Sequence, residues 1–106
     1  MVHHIENNQI NEEVLKNSEK LVVVDFFATW CMPCQMLAPI LAEVSEKYSD
    51  SAEFYKVNVD ENQDSAIRYG VESVPTLVFF KDGIEVERQV GLLEEAELSK
   101  IIEELK

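Results

Sequence analysis

Apolar and polar positions change period several times along the chain, and each change marks a new element. Leu21 to Phe27 reads LVVVDFF, a β-branched and aromatic run too short for a buried helix and broken by one charge. That composition predicts a central strand. From Pro33 to Tyr48, Met36, Leu37, Ile40, Leu41 and Val44 recur at three- and four-residue spacing, the stripe of an amphipathic helix. Ala28-Thr29-Trp30-Cys31 joins the two. Ala52 to Val59 returns as a strand, and the strand-helix-strand order favours parallel pairing through a right-handed crossover.

The second half has a different order. Asn62 to Tyr69 predicts a short helix stopped at Gly70. Thr76 to Phe80 and Glu85 to Val90 predict two antiparallel strands around Lys81-Asp82-Gly83-Ile84, where Asp-Gly is a strong hairpin signal. Glu94 to Leu105 predicts a closing helix with Leu98, Ile101, Ile102 and Leu105 on one stripe and acids in its first turn, which suit the helix dipole. Ile10 to Lys16 is expected to be helical and Val2 to Ile5 to be an edge strand. The sequence contains no internal repeat, low-complexity segment or linker. The expected architecture is α/β: a mixed sheet of four or five strands flanked by about four helices on both faces, as one domain over residues 1–106.

Composition narrows the function classes. Nine Lys and Arg against 21 Asp and Glu leave a net charge of −12, which repels phosphate backbones and anionic membranes. Nucleic acid and membrane surfaces are therefore not expected partners. The ordinary reading of so much acid is a well-solvated surface, with electrostatic docking as the alternative. Met1 to Glu6 has neither a basic segment nor an apolar one of signal-peptide type, and no apolar run approaches the roughly 20 residues that span a bilayer. A cytoplasmic location is expected.

The chemistry centres on Cys31 and Cys34, the only two cysteines. Their loop is too short to staple a fold, and reducing compartments disfavour structural disulfides. On a helix, residues three apart have Cα atoms about 5 Å apart, within disulfide range, so the pair can open and close with little backbone movement. Placed at a helix start, Cys31 meets free backbone N–H groups and the positive dipole end, which stabilise a thiolate. Cys31 is expected to be the more exposed, with Cys34 shielded one turn inside. Pro33 fits the first turn, where its missing N–H does little harm. Two other readings compete with this one. Half of a zinc site is one, but it lacks a second pair, and His3 and His4 are far off in sequence. Two inert core cysteines is the other, and spacing alone leaves it open.

Asp25 interrupts an apolar strand, where a carboxylate is costly unless protonated, paired or turned to solvent by the strand register. Val74-Pro75 precedes a strand, where proline can simply mark an edge. Val-Asp-Phe-Phe-Ala-Thr-Trp-Cys-Met-Pro-Cys at 24–34, Val-Pro-Thr at 74–76, Phe80-Lys81-Asp82-Gly83 and Val90-Gly91 together resemble the thioredoxin family, in order and spacing, over nearly the whole chain.

That resemblance implies a thioredoxin fold and a protein-disulfide reductase with no cofactor beyond its Cys31–Cys34 pair and no metal. It would act as a monomer on disulfide-bearing proteins and be re-reduced by a thioredoxin reductase. Cys31 would attack and Cys34 resolve. Asp25, behind Cys34, would help deprotonate it through water, with Lys56 as charge partner. Pro75 would be a cis-proline facing the disulfide, presenting the backbone of Val74 and Thr76 to an extended peptide. Trp30, Met32, Pro33, Gly91 and Leu92 would form a flat docking patch, and Pro39 would kink the long helix. Plainer roles exist for two of these, a surface lysine for Lys56 and an ordinary aromatic for Trp30. Met32, Gln35 and Phe27 depart from the family's usual glycine, basic residue and tryptophan. A disulfide isomerase or oxidase, or a redox-silent binding subunit of the same fold, are the alternative functions.

Overall fold

The computed structural model describes residues 1–10, 15, 16 and 19–106. The strands are β1 (Val2–Ile5), β2 (Leu21–Phe27), β3 (Ala52–Asn58), β4 (Thr76–Lys81) and β5 (Ile84–Val90). The helices are α1 (Met32–Lys47), α2 (Gln63–Arg68) and α3 (Glu95–Leu105). Of the helix expected over Ile10 to Lys16, residues 11–14 lie outside the described residues. Five strands form one sheet in the order β1-β3-β2-β4-β5. The first three are parallel, whereas β4 and β5 run antiparallel, which makes the sheet mixed as expected.

The central place of β2 follows from its composition. Six of its seven residues are buried, which only a strand paired on both edges and covered on both faces can achieve. Alternation sends Leu21 and Val23 to one face, where they pack with Leu37, Leu41 and Val44 of α1 and Leu98 and Ile102 of α3. Val22, Val24 and Phe26 go to the other, with Ile5, Ile10, Leu15 and Val57, and with Tyr69 and Val71 from the end of α2. Two separate hydrophobic clusters thus clamp the sheet.

Local signals match the observed ends to within a residue or two. The hairpin has only Asp82 and Gly83 between its strands, both at positive φ (52° and 83°), the backbone a two-residue turn requires. After α2, the Val71 N–H bonds the Ala66 carbonyl and the Gly70 N–H that of Ile67, the paired closure of a helix end. Glu94 and Glu97 form a reciprocal capping box at the start of α3. Helix α1 continues through Pro39, whose ring nitrogen removes one bond of its ladder.

Leu98 is completely buried between α3 and the sheet. Leu98→Ala is expected to destabilise the chain by about 2–5 kcal/mol through lost burial and a residual cavity. Ile84→Ala, on an exposed strand position, should stay within about 0.5 kcal/mol. Urea unfolding midpoints at constant slope measure both.

Candidate functional site

The carboxyl end of β2 runs through Ala28-Thr29-Trp30 into the first turn of α1, and the cysteines sit at that junction. Cys31 is the N-cap of α1, in extended backbone, and its Sγ accepts a hydrogen bond from the Cys34 N–H at 3.2 Å. A sulfur in the capping position satisfies one of the helix's free N–H groups. In the dithiol state the same N–H and the dipole end stabilise negative charge on Cys31. Cys31 and Cys34 are joined as a disulfide with Cα atoms 5.2 Å apart, close to the separation expected from helix geometry.

Exposure separates the two sulfurs less than expected. Cys31 is 5% and Cys34 3% exposed, because the two form a cluster with Ala28 against which Phe27, Val59 and Val74 pack. Their inequality comes from the helix end, since Cys31 receives the N–H and Cys34 lies in the helical turn. Opposite stands Pro75, joined to Val74 by a cis peptide bond, with the Val74 carbonyl oxygen 3.7 Å from Cys31 Sγ. Sulfur in a disulfide carries no hydrogen, so this approach is a bare contact that only the thiol form could turn into a hydrogen bond. Thr76 is buried at the start of β4 with its hydroxyl donating to the Ser73 carbonyl. Gly91, at φ +98° with open space where a Cβ would sit, donates its N–H to the Pro75 carbonyl at 2.8 Å.

Around this buried pair lies an apolar surface. Trp30, Met32 and Leu92 are 71%, 64% and 41% exposed, and Pro33 is exposed beside them. Large apolar side chains thus stand exposed beside the reactive centre. Trp30 is not loose, for its indole N–H donates to Asp60 Oδ2 at 2.8 Å. Gln35, one of the departures from the family pattern, donates its side-chain amide to the Thr29 carbonyl at 2.8 Å and so braces the loop before Trp30.

Asp25 is completely buried, and neither carboxylate oxygen has a hydrogen-bonding partner among the described residues. The register that could have turned it to solvent instead places it on the α1 face, between Val23 and Phe27 along β2. Burial pushes its pKa up to about 7, against a smaller opposing pull from Lys56. Lys56 is the direct register partner of Asp25 on β3. No ion pair joins them among the described residues, and the Lys56 ammonium sits 4.6 Å from the centre of the Phe27 ring. Its influence on Asp25 is thus through space rather than through contact.

The pattern residues at 24–34, 74–76 and 90–91 therefore converge on one end of the sheet, in the geometry of a reversible disulfide, whereas Phe80-Lys81-Asp82-Gly83 forms the hairpin at the other end. The family model described as Thioredoxin matches residues 1–104. The chain belongs to the thioredoxin family. It is 50% identical to Thioredoxin-2 of Saccharomyces cerevisiae over 91 residues, 86% of each chain. It is 45% identical to Thioredoxin 1 of Synechococcus elongatus over 92 residues, 87% of this chain and 85% of that one. Against Thioredoxin of Pseudomonas aeruginosa the identity is 41% over 106 residues, covering 97% of both. The thioredoxin chemistry of this chain is thiol-disulfide exchange through Cys31 and Cys34, with the protein's own disulfide as the redox centre. No helix among the described residues is long and apolar enough to cross a membrane, and no group of three or more metal-ligating side chains is found among them.

Val59, expected only as the end of a strand, and Asp60 were not expected at the site. Their signal was position: both follow the carboxyl end of a parallel strand, where α/β sheets build their sites.

Asp25 gives the site a pH signature. Above a folded pKa of about 7 the carboxylate must be charged in a dry setting, whereas the unfolded chain ionises it near the ordinary 3.8. The native state therefore binds the extra proton, and stability falls as pH rises from about 4 to about 7. Asp25→Asn is expected to exceed the parent in stability by a few kcal/mol at pH 8 and to match it at pH 4. Urea melts of the oxidised proteins across that range decide it, and a constant difference would contradict the burial argument.

Proposed function

We propose that the chain is a general protein-disulfide reductase, acting as a monomeric single domain in the cytoplasm and re-reduced by a thioredoxin reductase. The observation that carries this reading is a disulfide whose leading sulfur caps a helix and receives a backbone N–H, set within an exposed apolar rim. In the cycle, the Cys31 thiolate attacks a sulfur of the substrate disulfide, forming a mixed disulfide and releasing the other substrate sulfur as a thiolate. Cys34, losing its proton, attacks Cys31 Sγ, which frees the second substrate thiol and re-forms the Cys31–Cys34 bridge. The reductase then returns two electrons.

Asp25 takes the proton of Cys34 in the resolving step. A buried carboxylate with pKa about 7 is suited to exchange protons near neutral pH. Lys56 tunes that carboxylate from the neighbouring strand. Trp30, Met32, Pro33, Gly91 and Leu92 form the face on which a partner docks, and the backbone at Val74 and Thr76 on either side of Pro75 aligns its extended segment. Open space at Gly91 leaves room for the partner's main chain.

The parent is expected to accelerate insulin reduction by dithiothreitol, and Cys31→Ser to abolish the effect; an inactive parent or an active variant would refute the proposal. Asp25→Asn should slow resolution of a preformed mixed disulfide about tenfold or more while changing the first attack less. Stopped-flow rates with the reverse order would remove Asp25 from that role.

A further inference from the structure

The segment 59–62 between β3 and α2 supplies two groups to the site: Val59, packed on the cysteine cluster, and Asp60, the acceptor for Trp30. What fixes this segment is polar. Asn62 is 1% exposed, and its side chain uses both ends. Its Nδ2 donates to the Asn58 carbonyl at 2.9 Å and, at 3.5 Å, to the Ile5 carbonyl at the end of β1. Its Oδ1 accepts the Asn8 N–H at 2.7 Å. Asn62 stands at the N-cap of α2 without capping it. Asn8 does so from across the fold, its Oδ1 accepting the Ser65 N–H at 3.0 Å and the Ser65 hydroxyl at 3.2 Å.

Asn8 reaches this position through left-handed backbone, φ 56°, which asparagine tolerates better than most residues. Beside the bridge lies a cavity of about 410 Å³ lined by His4, Glu6, Phe27, Asn58, Glu61 and Asn62 among others. Close apolar packing therefore does not hold the segment on that side. The amide bonds do. At the end of β3 the Asp60 N–H donates to Asn58 Oδ1 at 3.0 Å and the Glu61 N–H to the Asn58 carbonyl at 3.2 Å, so Asn62, bonded to the same carbonyl, is linked to Asp60 through Asn58.

We infer that Asn8 and Asn62 are positioning residues that lock the 59–62 segment to the end of β1, and through Asp60 set the orientation of the Trp30 indole for substrate docking. The docking half rests on the function proposed above. The positioning half does not.

Trp30 is the chain's single tryptophan, so its fluorescence reads the lock without reference to any substrate. Asn62→Ala removes the side-chain bonds to the Asn8 N–H and to the Ile5 and Asn58 carbonyls, whereas Asn8→Gly keeps the left-handed backbone and that N–H and removes only the bonds to Ser65. Circular dichroism verifies both folds. Each is expected to raise the acrylamide quenching of Trp30 about twofold, as Asp60→Ala does by breaking the indole bond directly. The KM for insulin should rise about fivefold, the effect of one lost hydrogen bond on an equilibrium, with kcat unchanged. Reduction of a small aromatic disulfide should keep its rate. Asn8→Asp retains the acceptor oxygen toward Ser65 and should keep both quenching and KM at parental values. A folded Asn62→Ala with parental quenching, while Asp60→Ala shifts it, overturns the inference, and parental quenching in Asn8→Gly alone removes the Asn8 side chain from the lock. If quenching rises and the KM for insulin does not, the positioning stands and the docking role of Trp30 falls.

Discussion

Strand β2 is paired on both edges and covered on both faces, and every part of the site takes its place from that burial. A strand so enclosed has no freedom of register, since a slip of one residue would exchange Val22, Val24 and Phe26 for Leu21, Val23 and Asp25 between two different clusters. Its carboxyl end is therefore a rigid platform. From it the chain passes in four residues to the start of α1, so the helix end that carries Cys31 inherits the rigidity of the sheet. Pairing with β4 on the other edge brings the Val74-Pro75 segment opposite the disulfide, and pairing with β3 brings Val59 and Asp60.

The same enclosure explains why a carboxylate is tolerated at Asp25. The cost of burial falls on its charged form and lifts its pKa to about 7, so the group spends much of its time neutral at physiological pH. The cost appears as stability lost while pH rises from about 4 to about 7. Lys56, held over Phe27 and without an ion pair to Asp25 among the described residues, lowers the pKa only in part.

Much of this was legible from residues alone. The run LVVVDFF, the apolar stripe of Met36, Leu37, Ile40, Leu41 and Val44, the Asp82-Gly83 turn and the Glu94 start of α3 are local signals, each complete within a few residues. Less legible was the exposure of the cysteines. Helix position predicts an open Cys31 and a shielded Cys34, yet both are nearly buried because Phe27, Val59 and Val74, distant in sequence from one another, converge on them.

By itself, then, the sequence determined the element order, the redox pair and the reason for its reactivity, since a Cys-X-X-Cys at a helix start owes its chemistry to the backbone of that helix. Tertiary structure decided what depends on partners far along the chain. It placed Asp25 inward with no partner among the described residues rather than toward solvent, set Lys56 beside it without an ion pair, and supplied Asp60 to Trp30. It also tied Asn8 to Asn62, 54 residues away. Burial and hydrogen bonding between such distant residues depend on how strands and loops meet in space, and no local spacing encodes that.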